Sequence, residues 1–154
     1  MPDDGRDESR EEKLDRNWDE LLQELRVVQT GVQLLAGFLL TLPFTQAFGG
    51  LDTGQQALYL TLVVIAGLAV GTTLTPIAVH RLVFGDHEKD LPVRVGHALV
   101  QVVIGAIAAL IVGGATLVFS VVAGWLAGII AGAALAVVLI TLLFVVPRLV
   151  ASDR

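Results

Sequence analysis

The chain contains no cysteine, which excludes disulfides, thiolate nucleophiles and cysteine-based metal sites. Charged residues are also scarce. They make up 16% of the chain, against roughly 25% in an ordinary soluble domain. Residues 1–26 hold ten of the fifteen acids and five of the ten bases. The net charge of −5 therefore belongs to the N-terminal tail. No basic patch is present, so nucleic acid is not an expected partner.

Motifs that carry known chemistry are missing as well. The sequence has no P-loop, dinucleotide fingerprint, nucleophile elbow or His-Glu-x-x-His zinc motif. Asp86, His87, Glu88 and Asp90 are close together, but their loop is short and mixed in sign, which favours a solvated turn over a metal site. We therefore expect no catalytic residue, no cofactor, no metal and no enzymatic activity.

What the sequence does have is long uncharged runs. Residues 27–51, 53–80 and 95–147 lack Asp, Glu, Lys and Arg, and about 20 apolar residues cross a bilayer. The last run has 53 residues and would be about 80 Å long as one helix, against a bilayer core of about 30 Å. It must fold back, and Ser120 and Gly124 favour a bend within residues 119–125. The predicted spans are 27–48, 57–79, 95–118 and 124–146.

The N-terminal tail is predicted in two parts. Residues 1–10 form a disordered acidic tail. Residues 11–26 form an amphipathic helix, which continues into the first span because no Pro or Gly intervenes. Its apolar positions recur three and four residues apart, at Leu14, Trp18, Leu21, Leu22, Leu25 and Val28. With a transmembrane domain over residues 27–147 and a tail over residues 148–154, the fold class is an all-α integral membrane four-helix bundle.

The basic residues predict the orientation. All ten Lys and Arg fall on one side of a four-span chain, and the loops 47–56 and 119–124 on the other side have none. Because basic residues near span ends favour the cytoplasm, both termini are predicted to be cytoplasmic.

Small residues recur along three spans and predict close helix packing. Contact within one chain is the favoured use, and contact between copies remains an alternative. The packing positions are Gly67, Gly71, Gly105, Gly113, Gly124, Gly128 and Gly132.

Polar residues share one side of the first span. This polar face consists of Gln23, Arg26, Thr30, Gln33, Gly37, Thr41 and Thr45. Gln is costly in hydrocarbon unless it is hydrogen-bonded, so we expect this face to point into the bundle. There it would join a polar cluster in the inner leaflet. The candidates are Glu24, Arg26, Gln29, Gln33, His80, Arg81, Arg94, His97 and Gln101.

The polar cluster has two interpretations. Hydrogen bonding between helices is favoured, and a substrate or proton site is the alternative, because intramembrane ionisable groups are functional candidates. Pro43 and Pro76 likewise indicate either ordinary kinks, which are favoured, or broken helices that expose carbonyls to a substrate. No Asp or Glu lies within the predicted span cores, which counts against a self-contained antiporter.

Two stretches resemble a group of uncharacterised actinobacterial four-span membrane proteins, whose members are often labelled sodium:proton antiporter. One comprises residues 17–33 and 40–44, and the other residues 75–81 with Phe84. The resemblance covers roughly residues 17–147 and implies a bacterial inner membrane location. It assigns no chemistry to the family-defining positions Glu24, Arg26, Gln29, Gln33, Pro43, Pro76, His80 and Arg81.

The sequence thus favours a non-catalytic membrane component that acts by helix packing and assembly. Its partners would be the lipid bilayer and either further copies of itself or another membrane protein. The alternative is a small oligomeric transporter, of the sodium:proton antiporter kind.

Overall fold

The computed structural model describes residues 10–83 and 90–152, with the backbone alone for residues 76–83, 90–97, 150 and much of 10–25. Helix α1 spans Arg10–Thr41, and two 3₁₀ turns follow it at Leu42–Phe44 and Gln46–Gly50. The remaining elements are α2 at Thr53–Val83, α3 at Asp90–Ala123, α4 at Trp125–Ile140, a π-helical turn at Thr141–Val145 and α5 at Val146–Ser152. The described residues contain no β-strand.

Four segments are long and apolar enough to cross a membrane. They are Leu22–Phe44, Thr53–Thr75, Ala98–Ala123 and Trp125–Leu149, each above the length of about 20 residues that a bilayer core requires. The helices that contain them pack together. The all-α class is therefore confirmed, with four helices that are long and apolar enough to span a membrane and that pack together.

The reversal between α3 and α4 takes a single residue. Gly124 adopts a φ of 89°, a left-handed conformation that costs glycine little because it has no Cβ. Its N–H donates to the carbonyl of Ser120 at 3.0 Å, and its carbonyl accepts from the N–H of Gly128 at 3.1 Å. Gly124 thus closes the last turn of α3 and accepts the first hydrogen bond of α4.

Three helices form the core, and the fourth lies outside it. Helices α1, α2 and α3 contact one another pairwise, whereas the body of α4 packs against α3 alone over the described residues. One buried cluster joins α1, α2 and α3 through Val32, Ala69 and Val103. Another contains Tyr59 and Leu62 of α2 with Leu110 and Leu117 of α3. The bundle is therefore a three-helix core with α4 on one flank.

The two prolines occupy different backbone settings. Pro43 lies just past the end of α1, in the first 3₁₀ turn, where the missing N–H interrupts no α-helix. Pro76 lies within α2, which stays α-helical as far as Val83. Pro147 is the second residue of α5, separated from the π-helical turn by Val146. Because Pro147 has no N–H for the carbonyl of Leu143, the wider hydrogen-bonding pattern of that turn has a local cause.

Candidate functional site

The start of α2 carries the most connected polar site in the described structure. Asp52 and Gln55 bond each other reciprocally, as in a capping box. The N–H of Gln55 donates to Oδ1 of Asp52 at 2.9 Å, and the N–H of Asp52 donates to Oε1 of Gln55 at 3.0 Å. Two N–H groups that no helical partner could satisfy are thereby bonded.

This cap also joins α2 to the α3–α4 turn. Gln55 is buried, and its Nε2 donates to Oγ of the buried Ser120 at 3.3 Å. The indole Nε1–H of Trp125 donates to Oδ2 of Asp52 at 2.8 Å. We call Asp52, Gln55, Ser120 and Trp125 the cap network. It fixes the start of α2 against the end of α3 and the start of α4.

The cap network lowers the pKa of Asp52. The main cause is the hydrogen bond from the backbone of Gln55, followed by that from the Trp125 side chain. Partial desolvation acts in the opposite direction, and the backbone of Gly54 lowers the pKa further. Donors to the charged form stabilise it, so Asp52 stays ionised at neutral pH.

A second contact joins α1 to α2 beside the 3₁₀ turn. Pro43 has no N–H to offer to the carbonyl of Leu39, four residues earlier. The hydroxyl of Tyr59 donates to that carbonyl at 3.1 Å. The ring of Tyr59 meets Phe48 edge-on, with 5.0 Å between centroids. Tyr59 therefore holds the end of α1 and the following turn to α2.

Three of the predicted packing glycines lie where helices meet closely. A Cβ on Gly128 would be 2.6 Å from the carbonyl oxygen of Thr116, and a Cβ on Gly132 would meet Oγ1 of the same residue. A Cβ on Gly113 would meet the side chain of Leu62. The contacts of Gly128 and Gly132 join α3 to α4 within one chain.

The other glycines have different surroundings. A Cβ on Gly67, Gly71 or Gly105 would find nothing within 4 Å, and the same holds for Gly124. Gly124 provides the turn through its positive φ. Gly67 and Gly71 leave open space beside α2, and Gly105 leaves open space beside α3.

The polar face of the first span points away from the bundle. Gln23, Arg26, Thr30, Gln33, Gly37, Thr41 and Thr45 are all exposed. The expectation that this face points inward is wrong. The opposite side of α1 is the buried one, because Val32 there packs on α2 and α3, with Val28 and Leu35 partly buried beside it.

Gln33 is the unusual member of this face. It lies at the midpoint of the Leu22–Phe44 segment, and its side chain is exposed. Thr30 and Thr41 bond their hydroxyls to carbonyls of their own helix, those of Arg26 at 3.0 Å and Phe38 at 2.8 Å. Within the described part of the chain, the side-chain amide of Gln33 has no hydrogen-bond partner.

The predicted polar cluster is only partly visible. Glu24 and Arg26 are exposed, and Gln29 is half-buried. Gln101 is exposed on the side of α3 that lines a groove shared with the end of α4 and with Arg148. Val103, in contrast, faces α1 and α2. In the described structure no hydrogen bond joins Gln101 to the glutamines of α1. The side chains of His80, Arg81, Arg94 and His97 lie outside the described residues, so their part in the cluster stays a prediction.

A groove of about 760 Å³ separates α3 from the end of α4, the π-helical turn and the start of α5. Its walls are almost entirely apolar, and small residues at Gly105, Ala109 and Ala136 make the space. Gln101 and Arg148 are the polar residues of its lining, at the same end. We call this space the α3–α4 groove.

Sequence reasoning missed the cap network and the contact of Tyr59. The Asp-x-x-Gln spacing of residues 52–55 was a readable capping signal. The partners Ser120 and Trp125 had no such signal, because they are 65 and 73 residues away from Gln55 and Asp52. Among the described residues no group of three or more metal-ligating side chains occurs.

Comparison with known proteins adds a family and no activity. No curated protein and no solved structure matches the chain. The model of one protein family, described as a family of unknown function (DUF6328), matches residues 7–147. This match covers the amphipathic start of α1, the first three candidate spans, the fourth as far as residue 147, and the cap network. The chain therefore belongs to that family.

Proposed function

We propose that the protein is a non-catalytic component of the bacterial inner membrane that assembles with another membrane helix through the polar face of α1. The observation that carries this proposal is Gln33, which is exposed at the midpoint of its span without a hydrogen-bond partner in the described structure. A lone chain would present this amide to lipid tails, where an unbonded polar group is costly.

The surroundings of Gln33 suit close approach by a second helix. Gly37 lies one turn further along the same face, and a Cβ there would find nothing within 4 Å. Small residues let helix backbones come close, and amides bond across the resulting contact. Such a contact contributes about 1–2 kcal/mol in model peptides and about 0.6 kcal/mol on average in folded membrane proteins.

A second copy of the chain is the simplest partner. A glutamine amide both donates and accepts, so two copies of Gln33 can bond each other across a two-fold axis, where each residue meets its own equivalent. A different membrane protein with a polar residue at midspan is the alternative partner. Either partner could pack against Gly37 and form a hydrogen bond with the side-chain amide of Gln33.

Photocrosslinking tests this assembly directly. A photoreactive residue replaces Gly37 on the polar face or Gly67 on α2, both exposed and without neighbours within 4 Å of a Cβ. We expect position 37 of the purified protein in liposomes to form an adduct of twice the chain mass, and position 67 to form lipid adducts only. An adduct seen only in native membranes would identify a different partner.

Substitution of Gln33 is the second arm of the same test. Gln33→Leu should abolish the adduct at position 37, whereas the matched change Gln101→Leu, at another exposed glutamine of a span, should leave it unchanged. Equal crosslinking in the presence and absence of Gln33, or equal adducts at positions 37 and 67, would contradict assembly through this face.

The proposed orientation places both termini in the cytoplasm. It is supported by the ten basic residues that fall on one side of four spans. Because the chain has no cysteine of its own, single cysteines at Ser9, His87 and Ser152 give an unambiguous test. All three should react with a membrane-impermeant reagent only after the cytoplasmic side is opened, and labelling of any one from outside would overturn the orientation.

A small oligomeric transporter, such as a sodium:proton antiporter, is the second candidate. The midspan position of Gln33 favours it specifically, because amide and carbonyl oxygens can coordinate sodium inside a membrane. Ion flux in proteoliposomes across a pH or sodium gradient separates the two functions. Flux that disappears in Gln33→Leu while the oligomer persists would favour transport, and a folded oligomer without flux would contradict it.

A further inference from the structure

The α3–α4 groove lies outside the contacts that hold the bundle together. The close contact between α3 and α4 runs through Gly128 and Gly132, which meet Thr116 and Ser120. Beyond Gly132 the facing residues are small on both helices, at Gly105, Ala109 and Ala136, and the groove opens there. It is therefore closed at the Gly132 end and continues to the end of the span at Arg148.

The length of the groove matches one leaflet of a bilayer. Along α3 its lining extends from Gln101 to Val112, which is about 16 Å at 1.5 Å per residue. Half of a bilayer core of about 30 Å is about 15 Å. The walls are apolar, and in the described structure α4 meets α2 only through Trp125, at the end of α4 that is distant from the groove. A single acyl chain standing in that leaflet therefore fits the space.

Arg148 supplies a charge where a lipid headgroup would lie. Its Nη1–H donates to the carbonyl of Phe144 at 3.2 Å, and the guanidinium lies 5.8 Å from the centroid of the Phe144 ring. These contacts hold the group at the end of the groove. A guanidinium has five N–H donors, so several remain to bind a phosphate in the planar, two-pronged manner that favours arginine.

We propose that the α3–α4 groove binds one anionic glycerophospholipid, with an acyl chain in the groove and the headgroup phosphate on Arg148. Gln101, at the same end of the groove, is placed to donate to the ester or glycerol oxygens. The lipid would belong to the leaflet on the side of the chain's C-terminus. The site is separate from the polar face of α1, so it does not depend on the proposed assembly.

Native mass spectrometry of the purified full-length protein tests the site. The protein is equilibrated with equal amounts of phosphatidylglycerol and phosphatidylethanolamine that carry the same acyl chains. We expect the wild type to retain the anionic lipid about fivefold over the zwitterionic one, the ratio that corresponds to about 1 kcal/mol per basic residue near an anionic headgroup. Arg148→Gln should abolish this preference, and Arg148→Lys should retain part of it because the charge remains.

Filling the groove tests the position of the acyl chain. Gly105→Leu adds a side chain where a Cβ meets nothing within 4 Å, and it should reduce retention of both lipids. The matched control, Gly67→Leu, makes the same change at an equally open glycine of α2 and should bind lipid as the wild type does.

Two results would overturn the proposal. The first is equal retention of the two lipids by the wild type, and the second is unchanged retention in Gly105→Leu. If the Gly105→Leu variant also loses an oligomer, a second copy of the chain is the occupant of the groove. Arg148→Gln removes an exposed group without changing helix packing, so it keeps the test decisive if Gly105→Leu fails to fold.

Discussion

Tyr59→Phe removes one hydroxyl and leaves the rest of a buried ring in place. Tyr59 is 3% exposed, and its hydroxyl donates to the carbonyl of Leu39, which Pro43 cannot serve. We expect Tyr59→Phe to lower the free energy of unfolding by about 0.6–1.7 kcal/mol, which are the average and the largest value from double-mutant cycles on hydrogen bonds between membrane helices. The loss should be near the upper end because the carbonyl has lost its usual helical donor.

The proline makes a double-mutant cycle informative. In Pro43→Ala, residue 43 regains an N–H that can donate to the carbonyl of Leu39 in a continued α-helix. The hydroxyl of Tyr59 then becomes partly redundant. We expect Tyr59→Phe to cost less in the Pro43→Ala background than in the wild type, which gives a coupling energy between residues 43 and 59.

The assay is reversible unfolding in mixed micelles, followed by circular dichroism. Thr61→Val is the matched control, because the hydroxyl of this exposed residue bonds only the carbonyl of Ala57 in its own helix, at 2.9 Å. It should change stability by less than Tyr59→Phe. An equal or larger cost of Tyr59→Phe in the Pro43→Ala background would refute the view that this hydroxyl replaces the missing N–H.

Three further predictions concern the helix contacts and the cap network. Gly132→Ala should lower the free energy of unfolding by about 1–3 kcal/mol, as overpacking does. Gly71→Ala is the control and should not lower it, because a Cβ at residue 71 is in open space. Equal effects of the two changes would argue against close α3–α4 contact at Gly132. The native pKa of Asp52 is lowered. The contribution of Asp52 to stability is therefore present above about pH 4 and lost as the pH falls through the lowered native pKa. This acid dependence of the unfolding free energy should be absent in Asp52→Asn. Trp125→Phe removes the indole donor at 2.8 Å and should raise the pKa of Asp52, measured by NMR titration, and an unchanged value would show that the backbone donors alone control it.

Much of the fold followed from patterns local in the sequence. Uncharged runs set where the helices can cross a bilayer, and the 53-residue run from Val95 to Pro147 required a reversal, which the structure places at Gly124. These features depend on length and charge, which a window of sequence contains. The cap network is harder to predict from local sequence, because the hydrogen bond from Gln55 to Ser120 joins residues 65 positions apart.

The sequence by itself determined the number of helices, their apolar lengths and the presence of a polar face on the first span. Only the tertiary structure decided which way that face points and which helix α4 packs on. The reason is physical: in lipid both sides of a helix can be apolar, so periodicity identifies a distinct face without saying whether its partner is in the same chain. Val32 and its neighbours lie on the side of α1 that packs against α2 and α3, and Gln33 lies on the exposed side.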